Sequence, residues 1–278
     1  MHTAEPTPSA SAALISRPAS SRAYVAYWLL RVGAAMCFIG HGAFGFITKA
    51  AWVPYFGVVG IPATWAWRLM PIVGAIDVLA AMAVLFAPRG LPLAYMTVWA
   101  TWTALLRPLS GESALGAVER AGNYGVPFAL MVLTAMPRSW DGLARLLRRP
   151  AADEVTHKTV RGILKWTTCL LLLAHGGLGM MGEPILTAHY ASIGLPAGTT
   201  VLVGWFEIVL AVVVAMRPMT GLLLFVAAWK IATEFLFIVA GAPIWEFVER
   251  AGSYAAPLAL AALAKESAPH HTKSNPTR

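Results

Sequence analysis

His41-Gly42-Ala43-Phe44-Gly45 returns later in the chain as His175-Gly176-Gly177-Leu178-Gly179, and Glu119-Arg120-Ala121-Gly122-Asn123-Tyr124 returns as Glu249-Arg250-Ala251-Gly252-Ser253-Tyr254. The early matches lie 134 residues apart: the two histidines, Arg31 and Lys165, Pro62 and Pro196. The later ones lie 130 apart: Gly74 and Gly204, Asp77 and Glu207, Pro88 and Pro218, Trp99 and Trp229, Pro127 and Pro257. One four-residue shortening between Pro196 and Gly204 reconciles the two offsets, so the chain reads as two copies of one module.

With 58% hydrophobic residues, 12% charged residues and a mean hydropathy of +0.65, the 278-residue chain has too little polar surface for a water-soluble domain. Eight apolar stretches are readable, at 24–47, 66–87, 91–107, 121–136, 162–182, 200–217, 220–240 and 252–264. A helix crossing the roughly 30 Å hydrocarbon core needs about 20 residues, so the fourth and eighth are short and are expected to be tilted, shallow, or to begin at the Glu-Arg pairs. The expected fold is an all-α integral membrane protein whose eight transmembrane helices form two four-helix bundles. An even number of spans per copy makes these parallel repeats, related by a pseudo-two-fold axis along the membrane normal.

The expected organisation is a disordered cytoplasmic tail at 1–22, a first four-helix repeat at 23–137, a basic cytoplasmic connector at 138–160, a second repeat at 161–265 and a disordered tail at 266–278. With both termini and the connector on one side, that side holds 15 of the 21 basic residues, including Arg17, Arg89, Arg138, Arg145, Arg148, Arg149 and Lys273. The positive-inside rule makes it the cytoplasmic face. The net charge of +8 follows from this bias and suits anionic lipid headgroups, which argues against a nucleic-acid partner. Oligomeric state is not readable. His270 and His271, adjacent on a tail, read as incidental. Cys37 and Cys169 lie in the first and fifth stretches at unmatched repeat positions, which argues against a dithiol relay built into the module.

A charge near the bilayer centre costs about 2.5 to 3.5 kcal/mol on insertion scales, so a span carries one only where it is paired, hydrated or used. At 1.5 Å per residue, Asp77 lies roughly 12 Å from the outer end of its span, and Glu207, His41 and His175 roughly 9 Å. Each copy therefore sets an imidazole and a carboxylate at one level of the outer leaflet. Gly40, Gly42 and Gly45, with Gly176, Gly177 and Gly179 in the second copy, let a neighbouring helix approach, and Gly74 and Gly204 serve the facing helix. Two readings stand for the resulting His–acid contact. One is a structural pair that fixes helix register. The other is a catalytic site on His41, Asp77, His175 and Glu207, where a histidine beside a carboxylate passes protons.

Trp99, Trp102, Thr103 and Leu106 recur at helical spacing, matched in part by Trp229 and Thr233; the stripe reads as packing or an interface anchor and also fits the flat face of a quinone-like ligand. The copies diverge beside it. Lys230 and Glu234, four apart on one face, replace Ala100 and Ala104, and Phe237 replaces Arg107. Trp99, Arg107, Trp229, Lys230 and Glu234 are thus candidate substrate-binding residues, in one specialised site or in two unequal half-sites. Glu119, Arg120, Glu249 and Arg250 are expected at the outer rim, capping helix starts. No metal site and no haem, flavin or iron–sulfur motif is evident.

Within each half the order is a basic residue, His-Gly, a Gly-x-Pro loop and Gly-x-x-acid: Arg31, His41-Gly42, Gly60-Ile61-Pro62 and Gly74-Ala75-Ile76-Asp77, then Lys165, His175-Gly176, Gly194-Leu195-Pro196 and Gly204-Trp205-Phe206-Glu207. This order resembles the DoxX family of four-helix bacterial membrane proteins, here as two tandem copies. The resemblance covers most of both repeats. It implies an inner-membrane protein linked to thiol or sulfur redox chemistry, in some relatives the quinone-reducing subunit of thiosulfate oxidation. The acids at 77 and 207 match the family's second-helix acid. Lys49 matches a basic residue often found after His-Gly, where the second copy has Glu183. The leading expectation is a redox subunit passing electrons to quinone, supplied by a soluble or periplasmic partner. The alternatives are a transporter for a small polar solute, suggested by the repeat and by Lys230 and Glu234 at depth, and a scaffold that recruits an enzyme through the connector.

Overall fold

The computed structural model of the chain describes residues 21–88, 90–134 and 154–264. Residues 1–20, Arg89, 135–153 and 265–278 lie outside the described residues, and with them the expectations placed there, but the last two residues of the expected 1–22 tail already belong to the first helix. The described residues are helical and contain no strand. The first half runs α1 (Ser21–Phe46), a 3₁₀ turn (Ala50–Trp52), α2 (Val53–Val58), α3 (Ala63–Phe86), α4 (Gly90–Leu109), α5 (Ala114–Glu119) and α6 (Ala121–Thr134). The second runs α7 (Glu154–Met180), α8 (Pro184–Ser192), α9 (Thr199–Met216), α10 (Thr220–Val239), α11 (Ile244–Glu249) and α12 (Ala251–Leu263). Helices α4 and α10 are both 20 residues, and α5 and α11 both 6, at matched positions. Helix α7 begins at Glu154, so the end of the expected connector is already helical. Buried Val160 and the reach of Arg161 to the Leu263 carbonyl, at 3.4 Å, give that extra turn something to pack on.

Five helices are long and apolar enough to cross a membrane: Arg22–Phe46, Ala63–Phe86, Val155–Met180, Thr199–Met216 and Thr220–Val239. They point to a membrane protein. The other three expected spans are α4, α6 and α12. Helix α4 is long enough but carries Thr97, Thr101, Thr103 and Arg107. Helices α6 and α12, of 14 and 13 residues, are about 20 Å long at the α-helical rise. Their shortness has a physical reason. Eleven residues of α12, from Ala251 to Leu263, are buried, and a helix enclosed by protein need not match the thickness of lipid.

The packing is set by glycine. A Cβ on Gly42 would stand 2.7 Å from the Gly74 carbonyl oxygen, and one on Gly176 would stand 2.7 Å from that of Gly204, so α1 lies on α3 as α7 lies on α9. Gly40 faces elsewhere: its Cβ would fall 2.7 Å from the Cα of Glu249, in the other half. Helix α1 also packs on α12, and α6 on α7, so one apolar core runs through both halves, from Leu30, Ala81 and Met96 to Leu172, Val214 and Leu260. The matched cations Arg31 and Lys165 do matched work: Arg31 donates to the carbonyls of Val84 and Leu85, and Lys165 to that of Ala215 at 3.4 Å, serving carbonyls left open at the ends of α3 and α9.

Candidate functional site

Both His–acid contacts form. His41 Nδ1 meets Asp77 Oδ2 at 2.7 Å, bridging α1 and α3, and Tyr95 of α4 donates to Asp77 Oδ1 at 3.1 Å. In the second half His175 Nδ1 meets Glu207 Oε2, and Trp229 Nε1 of α10 donates to Glu207 Oε1 at 2.8 Å. Asp77 and Glu207 are fully enclosed, so each carboxylate has its lone pairs occupied on two sides. The glycine contacts create these bridges, because a methyl group at Gly42 or Gly176 would hold the helices apart.

The two copies then part. Beside His41 opens a cavity of about 350 Å³, walled by Trp52, Tyr55, Trp99, Trp102 and Arg107 and floored by Ala100 and Ala104. The His41 ring lies on Trp52 with centroids 4.3 Å apart. Tyr55 donates to Glu112, which also accepts from Arg107 at 2.8 Å, so the short helix α2 and the loop after α4 are tied together at the cavity wall. Burial pushes the Tyr55 phenol up to about 12, against the pull of Arg107, so it stays a donor.

In the second half that space is occupied by charge. Lys230 and Glu234, which replace the alanines of the floor, are 1% and 2% exposed. Lys230 Nζ lies 3.1 Å from Glu234 and 3.8 Å from Glu207; Arg250 Nε lies 3.1 Å from Glu234 and also pairs with Glu246; Glu246 takes Lys49 of the first half at 2.6 Å. The result is one chain of alternating charge from Lys49 to His175. Phe237 fills the place of Arg107 and carries the Arg250 guanidinium over its ring at 3.8 Å. His189 stands at the position of Tyr55, edge-on to Phe237, and burial together with Arg250 holds its pKa below the ordinary imidazole value.

The candidates therefore separate. His41, Trp99, Arg107, Arg120 and Glu249 line the cavity, whereas Asp77, His175, Glu207, Trp229, Lys230, Glu234 and Arg250 do not. The expected rim is redrawn. Glu119 and Glu249 end α5 and α11 instead of capping a helix start, because each short helix turns into the next at the following arginine. From there Arg120 reaches across the halves to Glu249 at 2.7 Å, and both are buried. Burial works against the Glu249 charge, but Arg120, Lys49 and Arg250 outweigh it and hold its carboxyl below the usual range. Burial opposes the Glu119 charge as well, but Arg120, Arg250, His175 and Lys230 outweigh it and bring its carboxyl down to about 2.

Sequence reasoning missed Tyr55, Trp52, Glu112 and Glu246. The short helices carrying the first two and the last show no apolar period long enough to read, although the aromatic content of 52–56 was a usable signal. Among the described residues no group of three or more His, Cys, Asp or Glu side chains is placed to hold a metal ion. Cys37 and Cys169 are buried free thiols. Comparisons with protein-family models, curated proteins and solved structures give no match.

Proposed function

We propose that the chain is an eight-span, DoxX-like protein of the bacterial inner membrane, with both termini cytoplasmic, built as two parallel four-helix repeats around an axis near Gly122 and Gly252. In this reading its first-half cavity binds a membrane quinone. The single observation that carries it is the cavity itself: an aromatic chamber of about 350 Å³, opening beside a His–carboxylate pair in one copy and closed by ion pairs in the other. A volume of that order suits one ring-bearing head group.

The chemistry is a two-electron reduction. Two thiols of a soluble or periplasmic partner join as a disulfide and release two electrons and two protons; the quinone takes up both and becomes a hydroquinone. His41, oriented by Asp77, delivers one of those protons to a ring oxygen as a general acid. Trp52, Trp99 and Trp102 supply flat apolar walls that hold the ring and exclude water. The transport reading has less support, because Lys230 and Glu234, its best pointers, are consumed in mutual ion pairs. The scaffold reading rests on the connector, most of which lies outside the described residues.

An azido-quinone probe should label peptides of α2 and α4 and spare α8 and α10, and dithiol-driven quinone reduction by the purified protein with its partner fraction should collapse in His41→Ala. Labelling confined to the second half, or no labelling and no reduction, refutes the reading.

A further inference from the structure

Three residues that line the cavity each carry a buried polar atom with no hydrogen-bond partner among the described residues: Glu249 Oε2, Arg120 Nε and Trp99 Nε1. Glu249 is 3% exposed and Arg120 7%. Their mutual bond at 2.7 Å uses one carboxylate oxygen and one guanidinium nitrogen, leaving the second carboxylate oxygen bare. A buried polar atom without a partner is destabilising, and more so when it is charged. A ligand that fills the cavity therefore binds best if it serves these atoms.

The unmet atoms are of both kinds. Glu249 Oε2 accepts only, while Arg120 Nε and Trp99 Nε1 donate only. A quinone offers two carbonyl oxygens, which accept and cannot donate, so one turned toward Glu249 sets lone pair against lone pair. A hydroquinone offers two hydroxyls, and a hydroxyl donates and accepts at once.

Resting on the reading of this cavity as a quinone site, we propose that it prefers the reduced, hydroxyl-bearing form of the head group, because Glu249 of the second copy accepts a hydroxyl hydrogen in the cavity of the first. The site is then incomplete without the second repeat. The preference has a direction. Tighter binding of the reduced form draws the bound couple toward reduction, and a tenfold preference corresponds to about 30 mV for two electrons, which eases electron transfer from a thiol donor.

The test compares both redox forms on the full chain in lipid nanodiscs. A decyl-tailed dimethoxybenzoquinone and its hydroquinone are titrated anaerobically, with binding read from tryptophan fluorescence. The hydroquinone should bind about tenfold more tightly, a difference of about 1.4 kcal/mol. Glu249→Gln, which adds an amide donor where only an acceptor stood, should erase most of that advantage. Trp99→Phe removes a donor away from the Glu249–Arg120 pair; it should weaken both forms and leave the hydroquinone ahead. The wild-type comparison and Trp99→Phe carry the test if Glu249→Gln does not accumulate folded. Equal binding of both forms, tighter quinone binding, or an advantage that survives Glu249→Gln overturns the inference while leaving a quinone site in place. Binding of neither form removes the inference and the quinone reading together.

Discussion

Gly122 and Gly252, equivalent in the two copies, lie against each other: a Cβ added to Gly122 would stand 2.5 Å from the carbonyl carbon of Gly252. Backbones that meet this closely need a glycine on each side, and each copy supplies one. The Glu-Arg pairs lie just before these glycines, and Arg120 bonds Glu249 across the contact, whereas Arg250 pairs with Glu234 and Glu246 of its own copy.

Backbone contact at this point leaves no room for a side chain. Gly252→Val should destabilise the protein by about 1 to 3 kcal/mol or more, as overpacking does, and should weaken the Arg120–Glu249 bridge. A fall in the unfolding midpoint in detergent, larger than that of an exposed control such as Leu202→Val, is the expected result.

The ion-pair chain of the second half should be least tolerant of losing one member. Lys230→Ala leaves Glu207 and Glu234 enclosed without their shared cation, at a cost of about 3 to 5 kcal/mol. Lys230→Ala combined with Glu234→Ala removes charge evenly and recreates the alanine floor of the first half, so it should cost less than the Lys230 replacement alone. A double-mutant cycle on thermal stability measures the difference.

Asp77→Asn should separate orientation from fold. The amide keeps the bond from Tyr95 but no longer holds a charged His41 ring, so under the proposed function quinone reduction should fall by about a hundredfold or more with little change in quinone affinity. Unchanged turnover would return the pair to a purely structural role.

Acid should loosen the junctions of α5 with α6 and of α11 with α12. Glu119 and Glu249 are both held below their ordinary values, so each contributes stability that is complete above the unfolded carboxylate value near 4.5. That contribution is lost as pH falls, from about 4.5 down to about 2 for Glu119 and lower still for Glu249. Thermal midpoints should be flat near neutrality and drop across that acid window, and Glu119→Gln should shrink the drop.

Much of the helix plan was legible before any coordinates. The matching glycines, the basic residues at 31 and 165, and the acids at 77 and 207 fix register because each needs a partner at a set height on a neighbouring helix. What stayed hidden was partnership between the copies. Nothing in the spacing of Lys49, Glu246, Arg120 or Glu249 says that bonds will form across the halves, since each has an equally plausible partner nearby in sequence.

The sequence by itself determined that this chain is a duplicated, helical, bilayer-compatible module with an imidazole facing an acid in each copy, because local periodicity, insertion cost and repetition are all written along one strand of residues. The sequence also showed the two copies diverging where Lys230 and Glu234 replace Ala100 and Ala104, and only the tertiary structure decided what that divergence does. Whether Ala100 and Ala104 leave a cavity, and whether Lys230 and Glu234 close one, depends on what surrounds them in three dimensions, and that is a property of packed volume and paired charge that no linear spacing records.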